Sequence, residues 1–241
     1  MRNPLRIALV GDFDPTVVAH QAIPRAIALA SAADGIPAAI EWIDTQRLGS
    51  NGAELLAGHD AVWVVPNSPY RNGEGVIAAI RHVRNTHVPF LGTCGGFQHA
   101  VIELARNAAG IASATHAEEH ADAAELVVSA LACSLVEKSG EVMLAEGSRL
   151  RQIYGAARTI EGYHCNYGLN PNYRERLERA GVRFSAVDAA GDVRALEWPD
   201  HPFFVATLFQ PERAALRGEA PQVVRALLRA ACRTGPQGFE P

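Results

Sequence analysis

Cys94 is the residue whose type and setting offer chemistry most directly. It stands in Gly92-Thr93-Cys94-Gly95-Gly96, a G-x-C-x-G run. An apolar strand pattern, Val88-Pro89-Phe90-Leu91, precedes it, and a helical pattern from Gln98 to Asn107 follows. A strand that turns sharply into a helix holds its nucleophile in a strained conformation, and flanking glycines make room for that turn. The thiol is then displayed above the carboxyl ends of the strands, where open α/β sheets bind ligands. The helix N-terminus supplies free N–H groups and a positive partial charge, which favour a thiolate and a developing oxyanion. The implied chemistry is attack by sulfur on an acyl carbon. The plainer alternative is a tight glycine turn with an incidental cysteine.

The elements that must position this residue follow from apolar patterning. Leu5 to Val10 reads as a buried strand, Pro15 to Ala33 as an amphipathic helix and Ile36 to Ile43 as a second strand. Ala61 to Val65 is a continuous apolar run of the parallel, doubly covered kind. A loop follows from Pro66 to Gly73, and a helix from Glu74 to Arg84. This alternation predicts an α/β fold of three layers, with a mostly parallel central sheet flanked by helices. Farther on, His116 to His120 is a polar loop or short helix. Leu126 to Leu131 and Glu141 to Leu144 read as strands, Ser148 to Tyr154 as a short helix and Asn170 to Ala180 as a helix closed by Gly181. Arg183 to Val187 and Val193 to Trp198 form a small antiparallel extension. Phe203 to Phe209 is a buried strand and Pro221 to Cys232 a last helix. Residues 1–233 read as one domain, and 234–241, rich in Gly and Pro, as a disordered tail.

Bulk properties narrow the function classes. The 241 residues are 48% hydrophobic and 20% charged, with a net charge of −4, a composition that builds a substantial core. No basic cluster stands out, so a nucleic-acid partner is not expected. No apolar run approaches the roughly 18 residues that span a membrane, and the N-terminal apolar segment is too short for a signal peptide. The expected location is the cytoplasm. The four cysteines, Cys94, Cys133, Cys165 and Cys232, show neither C-x-x-C pairing nor zinc spacing, so no metal or cofactor is called for. Cys133 and Cys232 read as small buried hydrophobes.

Over nearly the whole chain, Leu5 to Cys232, the sequence resembles the glutamine amidotransferase domain of CTP synthase, a class I amidotransferase with a Cys-His-Glu triad. Pro89 to Gln98 looks like that family's elbow, and Ile102 to Asn107 like its next helix. Asn170 to Leu177 and Ala180 to Phe184 resemble the segment after its Arg-His-Arg-Tyr-Glu motif. His201 to Ala206 leads into the place of its His-Pro-Glu motif. The resemblance implies a class I amidotransferase-like, flavodoxin-like domain with Cys94 as nucleophile toward the side-chain amide of glutamine. A histidine would activate the thiol, a glutamate would orient the histidine, and water would clear the γ-glutamyl thioester.

Three departures qualify that implication. Gln210-Pro211-Glu212 replaces His-Pro-Glu, so Glu212 holds the place of the triad acid while Gln210, which does not titrate, holds that of the base. Asn67-Ser68 replaces the Gly-Gly pair after the third strand; backbone N–H groups and both side chains could still line the site. Tyr163-His164-Cys165-Asn166-Tyr167-Gly168 replaces the arginine motif, and Asn166 falls where an arginine would hold the substrate carboxylate. His164 becomes a candidate replacement base and Cys165 a second thiol. Gly95, Gln98, Tyr167 and Glu118 complete the expected substrate contacts, Glu118 or Glu119 falling where the family contacts the substrate ammonium. A solvated acidic turn is the plainer account of that pair. His99, His20, His116 and His120 are weaker candidates. CTP synthase also carries an ATP-dependent ligase domain, and this chain has no G-x-x-x-x-G-K-[ST] loop, so alone it is not expected to make CTP.

Three functions stand against one another. The first is a stand-alone, diverged amidotransferase-like hydrolase acting through Cys94 on glutamine or a related amide, with a separate synthase subunit or a second copy of the chain as possible partner. The second is an inactive, small-molecule-binding or regulatory pseudoenzyme. The third is thiol redox chemistry by Cys94 and Cys165. The distances from the Cys94 sulfur to His164, Cys165, Gln210 and Glu212 decide most between them.

Overall fold

A computed structural model of the chain describes residues 3–49 and 52–234. Its first half alternates as the apolar runs require: β1 (Leu5–Val10), α1 (Val18–Asp34), β2 (Ala38–Ile43), a short α2 (Gly52–Leu56), β3 (Ala61–Val64), α3 (Gly73–Thr86), β4 (Phe90–Thr93) and α4 (Gly95–Asn107). The second half holds β5 (Thr115–His116), β6 (Leu126–Ala130), β7 (Lys138–Leu144), α5 (Arg149–Tyr154), β8 (Arg158–Tyr163) and β9 (Tyr167–Leu169). It continues through α6 (Arg174–Arg179), β10 (Arg183–Val187), β11 (Val193–Glu197), β12 (Phe204–Thr207) and α7 (Gln222–Thr234).

Among the described residues the main sheet has nine strands, in the order β2-β1-β3-β4-β12-β11-β10-β7-β8. The first five are parallel and the remainder antiparallel. A second sheet, β5-β6-β9, stands apart. Both faces of the parallel half are covered. Ala8 and Val10 of β1 pack into the cluster that contains α3 and α4, whereas Ile7 and Leu9 pack into the one that contains α1 and α7. This two-sided burial is why β3 reads Ala-Val-Trp-Val without a polar residue.

The antiparallel extension is larger than the expected hairpin, because β7 and β8 join β10 and β11 in the same sheet. His116 belongs to β5 rather than to a loop or helix. The segment expected as one helix from Asn170 splits into a 3-10 turn, Pro171–Tyr173, and α6; Gly181 follows at φ +99°. Helix α7 extends through Thr234, so the expected tail falls, from residue 235 on, outside the described residues. Cys133 is exposed and Cys232 half-buried, which corrects the reading of both as buried; the buried cysteines are Cys94 and Cys165.

Candidate active site

Cys94 follows β4 at the carboxyl edge of the sheet and is the N-cap of α4. Its backbone lies at φ 52° and ψ −104°, a positive-φ conformation that costs a non-glycine residue energy and clusters at functional sites. The surroundings over-determine it. The Cys94 N–H donates to the Thr207 carbonyl of β12 at 2.9 Å. A Cβ on Gly96 would lie 2.2 Å from the Val64 carbonyl, so only glycine lets α4 approach β3 there. A Cβ on Gly95 would meet the Tyr70 hydroxyl at 2.9 Å and the Ser68 Cβ at 3.0 Å. The elbow glycines are therefore close-approach positions as well as turn residues.

The strands beside β4 deliver the partners. Because β12 pairs with β4, the chain leaving β12 carries Gln210 and Glu212 to the elbow. The crossing from β8 to β9 carries His164, Cys165 and Asn166 over the same edge. Backbone bonds pin this crossing: Leu135 N–H to the Cys165 carbonyl at 3.0 Å and Leu131 N–H to the Asn166 carbonyl at 2.8 Å. The outcome is a sulfur pair. Cys165 Sγ lies 2.7 Å from Cys94 Sγ and 3.2 Å from the Leu208 carbonyl.

His164 meets Cys94 differently from a base. Its backbone carbonyl faces the Cys94 sulfur at 3.5 Å, while its imidazole Nδ1 lies 2.8 Å from Glu137 Oε1. Glu137 also accepts from Arg213 Nη2 at 2.6 Å, and Arg213 Nη1 donates to Gln210 Oε1 at 3.0 Å. A guanidinium only donates, so the Gln210 oxygen must face Arg213, leaving the amide NH₂ to donate to the Cys94 sulfur. Gln210 can thus steady a thiolate but cannot take its proton.

The electrostatics agree with that arrangement. The hydrogen bond from Cys165 lowers the pKa of Cys94; burial opposes it, and donation from the Gln210 amide and the Gly95 N–H reinforces it. For Cys165 the same hydrogen bond acts in reverse and, with burial, holds the thiol well above its usual range. When the pair loses its first proton, Cys94 is therefore the sulfur that gives it up and Cys165 the one that keeps its own. Glu212 is completely buried and neither carboxylate oxygen has a hydrogen-bond partner. Burial pushes its pKa well above the usual carboxylate range, and a Cys94 thiolate pushes the same way.

Above the sulfurs is a cleft of about 350 Å³. Of the catalytic and substrate contacts expected from the sequence, all line it except Gly95 and Glu212. Asn67 stands at φ +88°. Ser68 Oγ donates to Gln98 Oε1 at 2.8 Å, and Gln98 Nε2 donates to the Tyr167 carbonyl at 2.9 Å. His116 closes this network. Its Nδ1 accepts from the Glu118 N–H at 3.0 Å, so its Nε2–H donates to Gln98 Oε1 at 3.2 Å. Burial lowers the His116 pKa to about 3 and that of His99 to about 4, so both are neutral near pH 7 and hold the walls rather than titrate. Burial raises the pKa of Glu118 at the rim, and neighbouring Glu119 adds to the shift. Asn166 is exposed, its Oδ1 accepting from Ser134 Oγ at 2.7 Å.

Sequence reasoning missed Arg213 and Glu137. Arg213 directly follows the Gln-Pro-Glu segment and could have been found as its neighbour; Glu137, at φ +49° before β7, leaves no pattern. Among the described residues no group of three or more His, Cys, Asp or Glu could hold a metal ion. None of their helices is long and apolar enough to cross a membrane.

The family model for class I glutamine amidotransferase matches residues 19–226. CTP synthase of Methanopyrus kandleri is 35% identical over 97% of this chain and 46% of its own length. CTP synthase of Treponema pallidum is 34% identical over 95% of this chain and 42% of its own. The chain thus spans under half the length of these relatives. The glutaminase domain of Trypanosoma brucei CTPS, solved with bound acivicin, superposes with a TM-score of 0.88 at 26% identity, covering 98% of both chains. A glutamine amidotransferase of Thermotoga maritima shares the fold, with a TM-score of 0.58 at 11% identity, over 95% of this chain and 97% of its own.

Proposed function

Since this chain belongs to the class I glutamine amidotransferases, we propose that its cleft admits glutamine or a related small amide, which Cys94 attacks to form a thioester. The observation that carries this reading is the elbow. A strained Cys94 stands at the N-terminus of a 13-residue helix beneath a cleft, and hydrogen bonds from Cys165, the Gln210 amide and the Gly95 N–H lower its pKa, which favours a nucleophilic sulfur. The thiolate adds to the amide carbonyl and the C–N bond breaks. Ammonia takes its proton from the nearest S–H, that of Cys165, or from solvent. Water then hydrolyses the thioester and returns the proton.

No imidazole is placed to move those protons. General acid–base catalysis contributes typically ~10²–10⁴-fold, so acylation by a reactive electrophile is expected to outrun turnover of glutamine by that order. Incubation with acivicin, followed by mass mapping and an ammonia assay with glutamine, tests the reading. An adduct on Cys94, absent from Cys94→Ser, with slow ammonia release supports it. The pseudoenzyme reading rests on the Gln210 and Asn166 replacements. Saturable glutamine binding without adduct or ammonia, unchanged in Cys94→Ala, would favour it. We extend the proposal to a separate synthase subunit, or a second copy of the chain, as receiver of the ammonia; comigration of the purified chain with such a subunit tests that part.

A further inference from the structure

Cys165 steadies the Cys94 sulfur in the amide chemistry, and its position in contact with that sulfur allows a second chemistry. Two buried sulfurs 2.7 Å apart lie inside van der Waals contact, and closing to the about 2.05 Å of a disulfide needs a shift of roughly 0.65 Å. Both residues line the cleft and are buried, Cys94 5% and Cys165 3% exposed. Their recess shuts out a protein disulfide and leaves room for a small molecule. The donors around Cys94 favour its thiolate, and the protonated Cys165 sulfur lies in contact with it at 2.7 Å. An attacking thiolate and a protonated second thiol in contact are what two-step thiol–disulfide exchange requires.

We propose that Cys94 and Cys165 form a dithiol that reduces a small organic disulfide, an activity beyond amide chemistry and independent of it. The Cys94 thiolate bonds to one sulfur of RSSR, the S–S bond breaks, and RS⁻ leaves and takes a proton from solvent. Cys165 then gives up its proton and bonds to the Cys94 sulfur, expelling the second RS⁻, which that proton neutralises. Two electrons pass from the cysteine pair to the substrate, leaving a Cys94–Cys165 disulfide and two RSH. An external dithiol restores the pair.

The test uses bis(2-hydroxyethyl) disulfide with the full chain under anaerobic conditions. Wild type is expected to release two equivalents of 2-mercaptoethanol, and non-reducing peptide mapping to show a Cys94–Cys165 link that dithiothreitol removes. Cys165→Ser and Cys165→Ala are expected to release one equivalent and trap a mixed disulfide on Cys94. Cys94→Ser is expected to leave Cys165 unreacted. A stable mixed disulfide on Cys94 of the wild type with Cys165 still free, or reaction at the exposed Cys133 alone, would overturn the proposal. Acivicin labelling of the reduced protein reads the amide proposal separately, so either can fail without the other.

Discussion

Glu103 and Glu212 are both completely buried, yet the protein treats them in opposite ways. Glu103, near the C-terminal end of α4, is clasped by Arg84, whose Nε donates to its two oxygens at 3.2 and 3.0 Å and whose Nη2 donates at 2.9 Å. Glu212, past the end of β12 at the other pole of α4, has no hydrogen-bond partner on either oxygen. A paired buried charge is an ordinary structural solution, whereas an orphaned buried carboxyl needs an explanation. The proposed amidotransferase site offers one, in which Glu212 would stand for the triad acid and Gln210 for its imidazole. Gln210 does not turn to it but spans from Arg213 to Cys94. The contrast separates a buried carboxylate with a full set of partners from one left without any beside the candidate site.

The contrast can be broken most severely at the structural end. Arg84→Ala strands the Glu103 carboxylate and is expected to cost about 3–5 kcal/mol, read from the urea midpoint of unfolding. A loss under about 1 kcal/mol would remove Glu103 from the class of paired buried charges. Next in size, Gln210→His places an imidazole between Cys94 and the orphaned Glu212. Ammonia release from glutamine is expected to rise by ~10²-fold or more, with Glu212→Gln suppressing the gain. No gain in a folded variant would mean that the cleft no longer orients an amide.

The smallest effect belongs to Glu212→Gln alone. Burial favours the neutral carboxyl, which has no hydrogen-bond partner, so the change is expected within about 1 kcal/mol at acid pH. The signature is in the pH dependence. Glu212 has a raised pKa in the folded state, so the native protein retains a proton that the unfolded chain releases above the ordinary carboxylate range. Stability is full below the unfolded-state pKa and falls as pH rises through the folded one. In Glu212→Gln that decline should be reduced, as measured by denaturation midpoints across the series; an unchanged slope would show Glu212 to be ionised in the fold.

How much of this could be read in the sequence follows the patterning. The parallel half was legible because strands buried on both faces are unbroken apolar runs, as in Ala61 to Val64. The elbow was legible because close approach requires Gly95 and Gly96. Strand β8 was not legible. It reads Arg-Thr-Ile-Glu-Gly-Tyr, with Ile160 76% exposed, so neither alternation nor an apolar run marks it. The resemblance brought Cys165 to the site as a second thiol, but with β8 unseen nothing in the sequence set its distance from Cys94, since that contact is made by the crossing from β8 to β9. His164 was legible as a candidate base by type alone; its partner Glu137 comes from a separate loop. The burial tendency of cysteine, applied to Cys133, failed because the turn before β7 lies on the surface.

The central claim is that Cys94 is the reactive thiolate and that Cys165, in place of a histidine, keeps it so. Its most direct test is the pH dependence of iodoacetamide alkylation, resolved by mass spectrometry at each of the four cysteines. The midpoint for Cys94 is expected below that of an unperturbed thiol, and Cys165→Ala is expected to move it upward. A Cys94 midpoint at or above that of exposed Cys133, unmoved by the loss of Cys165, would contradict the account.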